Sequence, residues 1–169
     1  MRDINFYFKR EAQNSEFIKP EFKGRVYSHL LGTINLLKTG NKLTVNEKKA
    51  LGINTRLSIT RELIEVLNEK GLRLHYPSAV LTEMWSRAAN SKSRHDRMSQ
   101  LREGSIAEVF TLMSCGDGND CSWCQANQDV EFPVTTDIEH LIESNCTCNP
   151  YCKCSIMAKV DLTFGEPDA

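Results

Sequence analysis

No cysteine occurs in this 169-residue chain before position 115, so the first two thirds cannot carry a disulfide framework. No stretch approaches the ~20 consecutive apolar residues of a membrane-spanning helix. The opening Met1-Arg-Asp-Ile is polar rather than an apolar signal segment, and the cysteine count of seven is odd. Together these absences predict a soluble, cytoplasmic chain with reduced thiols. Also missing are a phosphate-cradling glycine loop, a Gly-x-Ser-x-Gly elbow and a His-Glu-x-x-His helix, so no enzyme is expected. There is no internal repeat and no low-complexity linker.

A net charge of −1 hides a strong polarity. Residues 1–110 hold 19 Lys and Arg against 12 Asp and Glu (+7), whereas residues 111–169 hold 2 against 10 (−8). A basic half can face nucleic acid or an acidic protein, and an acidic half is poorly suited to gripping phosphates. The length allows one domain, or one domain with a small satellite.

Along the chain, Ile4-Asn-Phe-Tyr-Phe8 alternates loosely and suits a short strand or a docking arm. Val26, Leu30, Leu31, Ile34 and Leu37 have helical spacing closed by Gly40-Asn41. Thr44 to Leu51 reads as a short helix, with Thr44 as N-cap and Glu47 three residues on. Thr55 to Lys70 carries the broadest apolar stripe, and Gly71 takes the place of a C-terminal glycine. After Pro77, Ser78 can cap a helix bearing Val80, Leu81, Met84, Trp85 and Ala88, and four helices would bury these faces together. The basic run that follows includes Arg87, Lys92, Arg94, His95, Arg97 and Arg102. It is either a solvated face or connector, or a patch touching nucleic acid or a partner. Ile106–Met113, Val130–Pro133 and Ser155–Leu162 read as strands, Thr136 caps a short helix through Ile142, and Gly165–Ala169 forms a tail. The expected fold is α+β: an arm (1–24), a mainly helical basic part (25–104) and a small zinc-stapled, β-rich module (105–169).

The chemistry lies in Cys121-Ser-Trp-Cys124 and Cys146-Thr-Cys148-Asn-Pro-Tyr-Cys152-Lys-Cys154. Two thiolates spaced by two residues can grip one tetrahedral Zn²⁺, and a second group some twenty residues on can close the shell. A closed four-cysteine site leaves no position for water and so serves structure rather than catalysis. Cys121 and Cys124 are expected ligands, joined by two of Cys146, Cys148, Cys152 and Cys154. We expect one ion; two would draw in Cys115 and His140 as well. Cys115 is otherwise expected as a half-buried free thiol. His29, His75 and His95 are dispersed and form no second motif. A redox reading of the Cys-x-x-Cys pair is disfavoured by so many neighbouring thiols and by the lack of a βαβ context.

Residues 104–160 resemble the C-terminal segment of the phage head-morphogenesis family, the minor head proteins related to that of phage Mu. The order is a strand (Val109-Phe-Thr-Leu-Met-Ser114), a charged turn (Gly116-Asp-Gly-Asn-Asp120), Cys121-Ser-Trp-Cys124 and Asp129-Val-Glu-Phe-Pro133. Asn149-Pro-Tyr-Cys152-Lys-Cys154 and a final apolar strand follow. Asn149 stands where the family has histidine, and an amide is a poor zinc ligand, so Cys146 or Cys148 is expected to take that role. The resemblance implies a non-enzymatic phage or prophage protein, cytoplasmic in the host or virion-associated, acting on a head or portal component. Two other readings stay open. One is a zinc-containing nucleic-acid-binding regulator with a helix-turn-helix-like basic region. The other is an anti-defence inhibitor that binds a host protein.

Overall fold

The computed structural model describes residues 3–104 and 107–159. The start of the first predicted strand at Ile106, the end of the last beyond Lys159 and the tail Gly165–Ala169 fall outside them. The chain is α+β. It divides into two compact units, Asp3–Ala89 and a second from Asn90 onward. The division falls earlier than the expected 104/105 boundary, and residues 3–24 of the expected arm belong to the first unit.

The first unit is helical. Its α1 (Ile4–Asn14) replaces the predicted strand or arm. Tyr7, Phe8, Glu11 and Ala12 are its buried residues, a helical face that the five-residue alternation concealed. A single 3-10 turn at Pro20–Phe22 leads into α2 (Lys23–Leu30). This helix stops earlier than its apolar spacing suggested, because Gly32 turns the chain at φ 78° and donates to the His29 carbonyl. The Leu36 N–H then donates to His29 Nδ1 (3.3 Å), and burial lowers the His29 pKa against a smaller opposing effect of the Ile34 carbonyl. The predicted capping box is present in α3 (Val45–Ala50): Glu47 N–H donates to Thr44 Oγ1, and Thr44 N–H donates to Glu47 Oε2 (2.8 Å).

The predicted long helix over 55–70 is instead two short ones, α4 (Arg61–Val66), capped by Thr60, and α5 (Glu69–Leu72), capped by Asn68. The break at Leu67 is set by a distant partner. Lys19 N–H donates to the Val66 carbonyl, Asn68 N–H donates to the Phe17 carbonyl, and Ile18 bridges Leu67. Gly71 lies inside α5, where a Cβ would stand 2.8 Å from the Phe17 carbonyl. Among the described residues no simple four-helix bundle forms. The core gathers Tyr7, Val26, Leu36, Ile59, Leu63, Leu67 and Leu81 from several short elements.

The helix predicted after Pro77 is much longer than expected. α6 (Ala79–Gly104) has 26 residues and absorbs the whole basic run. Its residues up to Ala89 belong to the first unit and the rest to the second.

In the second unit β1 (Val109–Met113) is the centre of a three-stranded antiparallel sheet, flanked by β2 (Glu131–Pro133) and β3 (Ser155–Lys159). Phe110 pairs with Phe132 on one side and Ala158 on the other, while Leu112 pairs with Ile156. The Phe110 and Phe132 rings stack at 5.5 Å. Between β1 and β2 lies α7 (Ser122–Ala126); between β2 and β3 lies α8 (Ile138–Asn145), whose N-cap is Asp137 rather than Thr136. Met98 and Leu101 of α6, Ile138 and Ile142 of α8 and the sheet's inner face share one core with Cys124, Cys152 and Cys154.

Candidate metal centre

The β1–α7 connection places Cys121 as the N-cap of α7 and Cys124 in its first turn. Cys146 is the C-cap of α8, Cys148 follows in the loop, and Cys152 and Cys154 lie just before β3. The fold thus brings both sequence groups together. The ligand atoms of Cys121, Cys124, Cys146 and Cys148 all lie within 4.8 Å of one another, and so do those of Cys124, Cys152 and Cys154.

The separations match a metal shell. Cys124 Sγ lies 3.5 Å from Cys146, 3.6 Å from Cys148 and 3.8 Å from Cys152, and Cys121 Sγ lies 3.8 Å from Cys146. With zinc–sulfur bonds of about 2.3 Å, sulfurs at the corners of a tetrahedron stand about 3.8 Å apart. A disulfide requires about 2.05 Å, and all seven cysteines are free.

Backbone N–H groups aim at the sulfurs. Cys121 N–H donates to Cys148 Sγ (3.3 Å), Thr147 N–H to Cys121 Sγ (3.4 Å) and Cys148 N–H to Cys146 Sγ (3.4 Å). Burial works against the Cys121 thiolate, but N–H groups of Cys124 and Thr147 outweigh it and bring its pKa down to about 6. Its neighbours go the other way. Burial pushes Cys148 up to about 12 and also raises Cys124 and Cys146, and contact with Cys154, followed by burial, raises Cys152. Ionising this group without a cation would crowd negative charges into a half-buried cluster. A divalent ion removes that cost, which is the electrostatic signature of a thiolate metal site. The residues present therefore fit a metal ion with soft ligands.

No protein-family model, no curated protein and no solved structure matches this chain.

The remaining candidates are placed as follows. Cys115 is exposed rather than half-buried, and its Sγ groups with Asp117 and Asp120 in the charged turn, apart from the six clustered thiols. His140 and Asn149 are exposed, and neither takes part in the thiol groups among the described residues. Most of the basic residues on α6 have partners within their own unit. Arg87 reaches buried Glu11 (3.4 Å), Lys92 pairs with Asp96, and Arg102 donates to the carbonyls of Val134 (2.7 Å) and Thr136 (2.9 Å). Arg97 is exposed.

Arg94, a candidate for outside contacts, instead points inward with 5% exposure. It forms a two-pronged ion pair with Glu139 (Nη2 to Oε2 3.2 Å) and donates to the carbonyls of Cys152 (3.4 Å) and Cys154 (3.3 Å). Desolvation disfavours its charge, but Glu139 and the two thiols outweigh that and hold its pKa above the ordinary value. Arg94 therefore fixes the loop that carries Cys152 and Cys154. Local pattern could not reveal it, because Glu139 lies on a different helix.

Proposed function

We propose that this chain is a non-enzymatic zinc protein. In it a closed four-thiolate site, Cys121, Cys124, Cys146 and Cys148, staples a small β-rich module that works through protein contacts. The observation that carries the reading is the convergence of four sulfurs within 4.8 Å from the start of α7 and the end of α8. Four protein ligands fill a tetrahedron, so the ion holds α7 and α8 together and offers no position for substrate. The resemblance over residues 104–160 supports a place in or around a phage or prophage virion, on a head, portal or assembly component. The internal partners of Arg87, Lys92, Arg94 and Arg102 weigh against a phosphate-tracking basic face.

Elemental analysis of the native full chain tests the metal. Zinc should be present, and Cys121→Ser should lower its content while Cys115→Ser leaves it unchanged. A zinc-free protein, or a coloured iron protein, would refute the reading. Sedimentation from a native lysate tests the assembly role, which predicts that the chain travels with virions or head intermediates. Elution with nucleic acid would favour a regulator instead.

A further inference from the structure

Cys124 belongs to both sulfur groups, the set of four and the triad with Cys152 and Cys154. Its neighbours at 3.5–3.8 Å include Cys146 and Cys148 on one side and Cys152 on the other. The triad is dry: Cys124, Cys152 and Cys154 are 1%, 8% and 3% exposed. We propose that the module binds two divalent ions. The first sits among Cys121, Cys124, Cys146 and Cys148, the second among Cys124, Cys152 and Cys154, and Cys124 Sγ bridges them. This rests on the four-thiolate site described above.

Charge balance permits the second ion. One dication with four thiolates carries a net charge of −2. A second dication that shares the already ionised Cys124 ionises two further thiols, Cys152 and Cys154, whose two protons leave to solvent. The added charge is therefore zero, and the cluster of two ions and six thiolates remains at −2. With one ion, Cys152 and Cys154 would stay buried as facing thiols beside Cys124.

The supporting residues fit the same arrangement. Arg94 anchors the carbonyls of Cys152 and Cys154, which presents their side chains as a fixed pair and places a positive guanidinium beside them. Three protein thiolates leave one coordination position for water or a small anion. Cys154 also borders a cleft of about 200 Å³ with Arg94, Arg97 and Lys153, which gives an ion and an anionic fourth ligand a route to the triad.

The test is a count. The full chain, purified and saturated with zinc, is weighed by native mass spectrometry and then loaded with ¹¹³Cd for NMR. The expected result is two ions per chain and two cadmium resonances coupled through a shared sulfur. Cys154→Ser and Cys152→Ser should each fall to one ion with the Trp123 environment retained. Cys115→Ser should keep two. One ion in the wild-type chain would overturn the second site and leave the four-thiolate reading standing, whereas none would remove both. Loss of one ion from Cys115→Ser would overturn it too, by placing that ion in the Asp117–Asp120 turn. If the serine variants fail to fold, the wild-type count and its cadmium spectrum decide.

Discussion

Removing the carboxylate opposite Arg94 should damage the second unit more than any surface change. In Glu139→Ala the guanidinium, 5% exposed in the native chain, loses both prongs of its ion pair, and the Ser91 hydroxyl and the carbonyls of Cys152 and Cys154 carry no formal charge to replace it. Leaving one charge of a buried pair uncompensated costs about 3–5 kcal/mol. Because Glu139 itself is 13% exposed, so that water can enter, and because Cys152 and Cys154 stand close enough to offset part of the charge, the lower end, about 3 kcal/mol, is the upper bound here. That is a shift of more than a hundredfold in the folded-to-unfolded ratio, and a large share of what a domain this small possesses. Replacing both partners, Arg94→Met with Glu139→Leu, should restore much of the loss. The two tryptophans make the measurement clean, since Trp85 lies in the first unit and Trp123 in the second. Urea unfolding in a Trp85→Phe background then follows the second unit alone. A change below about 0.5 kcal/mol for Glu139→Ala, the range of ordinary surface substitutions, would refute the argument.

Chelation should unfold the second unit and spare the first, because metal binding there is folding free energy; Trp123 fluorescence should shift while Trp85 stays native. Gly71→Ala should destabilise the first unit by about 1–3 kcal/mol through collision with the Phe17 carbonyl and Leu67, as a thermal melt would show; a neutral result would mean that the chain at 16–19 yields freely. The Thr44 N–H, then the Thr44 hydroxyl and Arg61, hold the Glu47 pKa below its ordinary value. Its contribution to α3 is therefore complete above the unfolded pKa and fades as pH falls through the lower folded one, a dependence that Glu47→Gln should abolish in an NMR titration. Duplex DNA should bind weakly and without sequence preference; a sequence-specific complex that survives physiological salt in filter binding would contradict this.

Signals that sit close together in the chain were the ones the sequence displayed. The Thr44–Glu47 box, the strands at Val109–Met113 and Glu131–Pro133, and the gathering of cysteines all depend on neighbours within a few residues or on ligand spacing. What stayed hidden depends on distant partners. The break between α4 and α5 is imposed by residues 16–19, which no stripe over 55–70 records. Arg94 read as one more charge in a basic run, since its carboxylate lies on α8. The face of α1 needs Glu11 and Ala12 to declare itself, and the first five residues alternate by coincidence. The cysteine types and spacing marked the site, but not the sharing of Cys124, which only the three-dimensional meeting of the two groups shows.

The order of the ligands along the chain has a consequence for the sequence of folding steps. Cys121, Cys124, Cys146 and Cys148 all precede β3, and the gap from Cys124 to Cys146 is short. Closing a loop of about twenty residues costs only about 3 kcal/mol of chain entropy, against an apparent ~10–16 kcal/mol for a structural zinc. An ion held by these four thiols would therefore close the module at one end before β3 pairs with β1. The central strand would then receive its last partner on a frame already tied, and metal supply, not strand pairing, would set how much of the second unit reaches its native state.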